Sequence, residues 1–180
     1  MNPAGFLIRP AVPADAAGIA RVHVLSWQHA YQGLLPQAML DGLSIETRRR
    51  QWLEWLETPG SPSTLVALSP DPESHLAGFV SGGPVRGEYA GFDCEIAAIY
   101  LLPEVQGQGL GYLLFRRMQQ ELATAGYRRL LVWVLETNQP ARRFYARLGG
   151  VPELEKTATL GVSIGLAPVD VKETGYGFEL

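Results

Sequence analysis

Cysteine occurs once in the 180 residues, at position 94, so no intrachain disulfide can brace the fold. Three histidines and that single thiol make no cluster with metal-ligand spacing, and no metal is expected. No apolar run is long enough to span a bilayer, and the N-terminus lacks the pattern of a secretory signal. The default expectation is a soluble cytoplasmic protein with no membrane partner. Neither sign of charge is in large excess. Fifteen Lys and Arg against 18 Asp and Glu give a net charge of −3, which does not suit broad nucleic-acid binding. Internal repeats, low-complexity tracts and linkers are missing. So are the Walker A Gly-Lys-Ser/Thr and the dinucleotide fingerprint G-x-G-x-x-G, which narrows what the glycines can be doing.

What is present is an ordinary apolar content of 47% and enough chain for one domain, residues 1–180, with a sizeable core. Phe6–Arg9 reads as a short strand stopped by Pro10 and Pro13. A helix carrying Ile19, Val22 and Trp27 follows, with Asp15 in its first turn favouring the dipole. Tyr31 lies four residues beyond Trp27 and shares its face if the helix continues. Residues 32–36 break it, and a second helix spans about Ser44 to Glu57. Strands are expected at Thr64–Leu68, His75–Gly82 and Phe92–Leu102, with a turn at Pro70–Glu73 and a glycine-bearing loop at 83–91. A helix from Gly109 closes at Gly126. Arg129–Glu136 reads as a buried central strand. Asn138 is a good N-cap for a helix ending at Gly149-Gly150, with Pro140 in its first turn. Pro152–Thr157 and Val169–Gly177 complete the strands. The order is that of a mixed α/β fold, with crossover helices over one sheet.

The informative stretch is Ile99-Tyr100-Leu101-Leu102-Pro103-Glu104-Val105-Gln106-Gly107-Gln108-Gly109-Leu110-Gly111-Tyr112. A strand stops at a proline, a glycine-studded loop follows, and a helix begins with Leu110, Leu113, Leu114, Met118 and Leu122 on one face. The first amides of a helix have no internal partner and sit at its positive end, which suits a phosphate. Three glycines leave room for backbone to approach such a ligand. A plain strand-to-helix turn has the same composition.

Spacing separates the two. Gln106-x-x-Gly109-x-Gly111 after an apolar strand resembles the acyl-CoA pyrophosphate loop of the GCN5-related N-acetyltransferases. Asn138-Gln139-Pro140-Ala141-Arg142-Arg143-Phe144-Tyr145-Ala146-Arg147-Leu148-Gly149 looks like the next helix of that family. The specific part of the resemblance covers residues 95–150, and the acyl-CoA core about 92–150. It implies a mixed, bent sheet of about seven strands flanked by helices, with the strands near 96–102 and 129–136 splayed so that the pantetheine arm of CoA enters between them. It implies acetyl-CoA as co-substrate, an amine acceptor and direct transfer in a ternary complex. A homodimer is compatible with the family. A non-catalytic acyl-CoA-binding module on the same fold is the alternative.

The residues follow from the resemblance. The backbone of Gln106, Gly107, Gln108, Gly109, Leu110, Gly111 and Tyr112 would hold the pyrophosphate, with Ile99 and Leu101 pairing through their main chain with the pantetheine arm. Leu101 is the candidate for polarising the thioester carbonyl. Asn138 matches a cofactor-contacting Asn, Arg142 and Arg143 are within sequence reach of phosphates, and Tyr145 matches the general acid. A phenol near pKa ~10 can return a proton to a thiolate whose thiol is near roughly 8.5. Glu95, a carboxylate in an apolar strand, is the candidate base, since such a group is costly to bury unless it meets a cleft or partner. Trp27 and Tyr31 are candidates for the acceptor pocket, and His23 and His29 are titratable groups on the same helix. Cys94 reads as a small buried hydrophobe facing away from Glu95, subject to a bulge near 97–98. Glu88, Asp93 and Glu95 give a slight lean towards a cationic acceptor.

Overall fold

A computed structural model describes residues 5–70, 76–162 and 165–180. Its sheet has seven strands: β1 (Leu7–Pro10), β2 (Ser63–Leu68), β3 (Leu76–Pro84), β4 (Cys94–Leu101), β5 (Arg129–Leu135), β6 (Val151–Leu160) and β7 (Val169–Glu179). They lie in the order β1-β2-β3-β4-β5-β7-β6. Every neighbouring pair is antiparallel except β4 and β5, which run parallel. The expected mixed α/β sheet is therefore present. Most of the turn expected at Pro70–Glu73 lies outside the described residues.

Helices cover both faces. On one side α1 (Ala16–Ala30) and α3 (Ile45–Glu57) bury Ile19, Val22 and Trp52 against Val66 and Phe79. On the other, α4 (Leu110–Thr124) and α5 (Gln139–Arg147) pack Leu110, Leu114, Phe115, Met118 and Tyr145 against Leu65, Val80, Ile96 and Leu130. The buried stripe of α4 includes Phe115, while Leu113 is half-buried. Ser44 caps α3 by accepting from the Thr47 amide at 3.2 Å. A short helix absent from the sequence reading, α2 (Gln37–Asp41), starts after Pro36 and buries Met39 and Leu40. Its five residues are too few to leave a periodic signal.

Two irregularities in β4 position everything that follows. Ser81 pairs with Ala98 and Gly82 with Ile96, so Ala97 is an extra residue with nothing opposite it. This bulge resets the alternation of side chains. Cys94 and Ile96 face α4, whereas beyond the bulge it is Ile99 and Leu101 that pack there, and Ala98 and Tyr100 turn to the α1 side. The second irregularity is the end of the β4–β5 ladder. It holds only Cys94 with Leu130 and Glu95 with Leu131. β4 stays on β3 as far as Leu101, and β5 stays on β7 as far as Leu135. The sheet therefore opens in its middle.

Candidate active site

The opening is a cleft of about 420 Å³. Its walls are β4 from Ile96 to Leu101 and β5 from Val132 to Leu135, with Tyr31 just after α1 at one side and Phe144 and Tyr145 of α5 at the other. Hydrogen bonding shows which backbone groups face it. The Leu102 amide donates to the Ala77 carbonyl at 2.9 Å, towards β3. Strand alternation then turns the amides and carbonyls of Leu101 and Ile99 to the opposite edge, where β5 has departed. The Leu101 carbonyl is already engaged, accepting from Ser26 Oγ at 2.8 Å and from Gln106 Nε2 at 3.2 Å.

One end of the cleft is closed by the loop at 106–109 and the start of α4. Gly109 is the N-cap, with φ of 83° in the left-handed region. The Leu113 amide donates to the Gly109 carbonyl. Among the described residues no backbone partner is recorded for the amides from Gly107 to Tyr112. This is a cradle of N–H groups at a helix end. A side chain at Gly107 would meet nothing within 4 Å, so space there is open. Gly111 has a different role. A Cβ there would sit 3.3 Å from Leu101 and 3.4 Å from Phe144, so this glycine lets α4, β4 and α5 approach one another. The side chains of Gln106 and Gln108 turn back onto the carbonyls of Leu101 and Glu104 and brace the loop.

Tyr145 is buried among Phe115, Phe144, Tyr176 and Phe178, and it lines the cleft. No described residue hydrogen-bonds its hydroxyl. Burial pushes the phenol well above its ordinary range, so it keeps its proton. Asn138 caps α5 by accepting from the Ala141 amide at 3.1 Å, and it also lines the cleft. The cap uses Oδ1 and leaves the amide nitrogen of the side chain uncommitted to it. Arg142, in contrast, donates to Tyr176 and to the Glu136 carbonyl, so it ties α5 to β7.

A second cavity of about 630 Å³ lies between α1, α3 and β3–β4 and shares Ala97 and Ala98 with the cleft. Trp52, Trp55, His23 and Arg48 line it, with Arg86 and Ser81 opposite. His23 is buried and stacked on Tyr100. Its Nδ1 accepts from the Trp52 indole at 3.1 Å. An indole can only donate, so the ring proton sits on Nε2. Burial, then the charge of Arg48, hold its pKa down to about 3, which keeps it neutral.

The arrangement is a cleft between two parted strands, with unpaired backbone edges along one wall. The acetyltransferase (GNAT) family pattern matches residues 24–150. The chain belongs to the acetyltransferase (GNAT) family. The "Uncharacterized N-acetyltransferase YuaI" of Bacillus subtilis (strain 168) is 34% identical over 171 residues, covering 95% of this chain and 91% of that protein. A phosphinothricin N-acetyltransferase of Streptomyces coelicolor is 28% identical over 102 residues, 56% of this chain and 58% of the other. The fold is similar to that of the PaiA N-acetyltransferase from Thermoplasma acidophilum, solved in complex with coenzyme A, with a TM-score of 0.73 at 18% identity over 98% and 99% of the two chains. It is also similar to yncA from Salmonella typhimurium, solved with its cofactor acetyl-CoA, with a TM-score of 0.68 at 20% identity over 98% and 94%.

In this GNAT chain the residues read from sequence do not all reach the cleft. Ile99, Leu101, Gln106, Gly107, Gly109, Gly111, Tyr112, Asn138, Tyr145 and Tyr31 line it. Tyr31 meets the Tyr100 hydroxyl at 3.4 Å. Trp27 packs edge-on behind Tyr31, beneath Arg48, and lines neither cavity. Glu95 is buried and its Oε1 accepts from Arg86 Nε, so the carboxylate has its partner in the loop after β3. Asp93 accepts from the amides of Arg128 and Arg129. Glu95 and Asp93 are thus committed internally, and no acidic acceptor patch is built from them. Cys94 is fully buried, donates weakly to the Arg129 carbonyl at 3.5 Å, and is pushed up to about 12 by burial and then by Asp93. The sequence reading missed Arg48, Arg86 and Trp55 as cavity residues. The only available signal was a helix, residues 45–57, with two tryptophans and an arginine on the face that carries its packing. Among the described residues no group of His, Cys, Asp and Glu gathers as a metal site, and no helix is long and apolar enough to cross a membrane.

Proposed function

We propose that this chain is an acetyl-CoA-dependent N-acetyltransferase that moves the acetyl group to a primary amine by direct transfer in a ternary complex. The observation that carries the reading is the loss of β4–β5 pairing after Glu95 and Leu131, with unpaired amides at one end of the gap and Tyr145 in its wall. The structures of PaiA with coenzyme A and of yncA with acetyl-CoA support the same ligand here.

The amides of residues 107–112 bind the pyrophosphate, a use of helix-end N–H groups that needs no side-chain charge. The exposed edges of Ile99 and Leu101 hold the pantetheine arm as an added strand. The Leu101 carbonyl is taken by Ser26 and Gln106, so the contribution of this residue to the thioester is its amide, donating to the carbonyl oxygen as negative charge gathers there. The amine enters from the second cavity at Ala97–Ala98. In the transfer a C–N bond forms and the C–S bond breaks. One amine proton passes through water to Glu95, and Tyr145 gives its proton to the departing sulfur. Arg86 occupies one oxygen of Glu95, which favours the relayed route over direct contact.

Titration calorimetry with acetyl-CoA and CoA, followed by thiol-release assays over an amine panel, tests the reading. Binding with turnover is the expected result. Binding with no turnover on any amine would convert it to an acyl-CoA-binding module, and no binding would end it.

A further inference from the structure

We propose that the second cavity selects acceptors that carry a carboxylate on an apolar body, with Arg48 as the residue that reads the carboxylate. The proposal rests on the acetyltransferase reading above and names its acceptor class.

Arg48 is a half-buried cation over the Trp27 ring, 5.7 Å from its centroid. Among the described residues no carboxylate lies within ion-pair distance of it. Its recorded side-chain hydrogen bond is to Gln51, from Nη1 at 3.2 Å, and its Nε is buried with no partner. A guanidinium in this setting has lost water without gaining an anion, an arrangement that a ligand carboxylate completes in a bidentate way. Two further groups facing the cavity from α1 and α3 are donors, beside the Gln51 side chain, whose Oε1 accepts from Arg48. His23 presents a neutral ring with its proton on Nε2, and the Trp55 indole N–H has no partner. The carboxylates nearby do not offset this. Glu95 is bound to Arg86, and Glu54 is exposed at the rim without an ion pair to Arg48. Trp52 and Trp55 supply flat apolar walls for the body of the acceptor. The cavity meets the cleft at the Ala97 bulge, which leaves the amine end pointing at the acyl group.

The test compares phenylalanine, methionine and leucine with phenethylamine, 3-(methylthio)propylamine and isoamylamine, the same bodies without the carboxylate. kcat/KM is measured with saturating acetyl-CoA, and binding to the CoA complex by calorimetry, for the native protein, Arg48→Gln and Arg48→Lys. The amino acids are expected to exceed their decarboxylated partners at least tenfold. In Arg48→Gln the ratio falls towards one, mainly through KM, and Arg48→Lys recovers part of it. Each ratio is read on one preparation, so it does not depend on how much of a variant folds. Equal or better use of the simple amines by the native protein, or a ratio unchanged in Arg48→Gln, overturns the proposal. Failure of acetyl-CoA to bind would instead strike the reading beneath it.

Discussion

Tyr145 and His23 show how burial sets what a titratable side chain can do. No described residue hydrogen-bonds the Tyr145 hydroxyl, and Tyr145 lines the cleft. Removing it leaves no orphaned donor or acceptor, so Tyr145→Phe is expected to keep its unfolding free energy within about 0.5 kcal/mol of native, since deleting a polar group that holds no hydrogen bond breaks no contact. Turnover should fall about 10²-fold, as loss of a general acid does, with CoA affinity unchanged. An unaltered kcat would remove Tyr145 from the proton inventory. Because the phenol is pushed upward, activity should also show no tyrosine limb below the ordinary phenol range of about 10. His23 works in the opposite direction. Its folded pKa of about 3 lies below the ordinary 6.5, so the unfolded chain takes up a proton that the native state refuses. The neutral ring's contribution is complete above about pH 6.5 and is lost as pH falls towards 3, at up to about 1.4 kcal/mol per pH unit. Urea denaturation at pH 7 and 5.5 should show a larger loss for the native protein than for His23→Asn. Equal losses would place the proton elsewhere.

Among the elements, α4 combines a structural and a proposed ligand-binding end. Phe115 and Met118 anchor it in the core, while Gly109 starts it at positive φ and leaves the first amides open. Gly109→Glu adds strain of about 1–2 kcal/mol at that backbone position and points a carboxylate at the proposed pyrophosphate. CoA affinity should drop at least 100-fold by calorimetry while far-ultraviolet dichroism is unchanged. Retained affinity would mean the helix end is only a turn. The sequence made this element legible because its glycines, its strand before and its apolar stripe after all agree. It made α5 legible through Asn138 and Pro140. It could not show that Gly111 serves packing against Leu101 and Phe144, since a close approach between three elements leaves the same letter as a ligand contact. The short helix at 37–41 was invisible because it is too local to carry a period, whereas the bulge expected near 97–98 falls at Ala97. The bulge matters more, because ordinary alternation puts Glu95 and Cys94 on opposite faces and the extra residue reverses the order beyond it. Arg48, Arg86 and Trp55 meet only in three dimensions, from α3 and the loop after β3, so their common cavity had no sequence signature.

At the scale of the whole molecule, the sheet consists of two antiparallel parts, β1 to β4 and β5 to β6, joined in the ladder by two parallel pairs. Helices across both faces hold the parts together, while the backbone edges between Ile96 and Leu101 lack strand partners on one side. A ligand that lies along that edge completes the sheet. Binding to the native state alone stabilises by about 2.7 kcal/mol at a ligand concentration 100 times Kd. For a chain of this size, that corresponds to a rise of roughly 5–10 °C in Tm. The distribution of the effect is more telling than its size. If the pantetheine arm adds as a strand, amide exchange should slow at Ile99 and Leu101 in the CoA complex, together with Gly107–Tyr112, with little change in β1, β2 or β6. Nuclear magnetic resonance or mass-spectrometric exchange resolves these segments. Protection confined to the start of α4, with β4 exchanging as in the free protein, would show that the phosphates are held while the arm lies elsewhere. The split between the two halves of the sheet would then be a feature of folding with no part in binding.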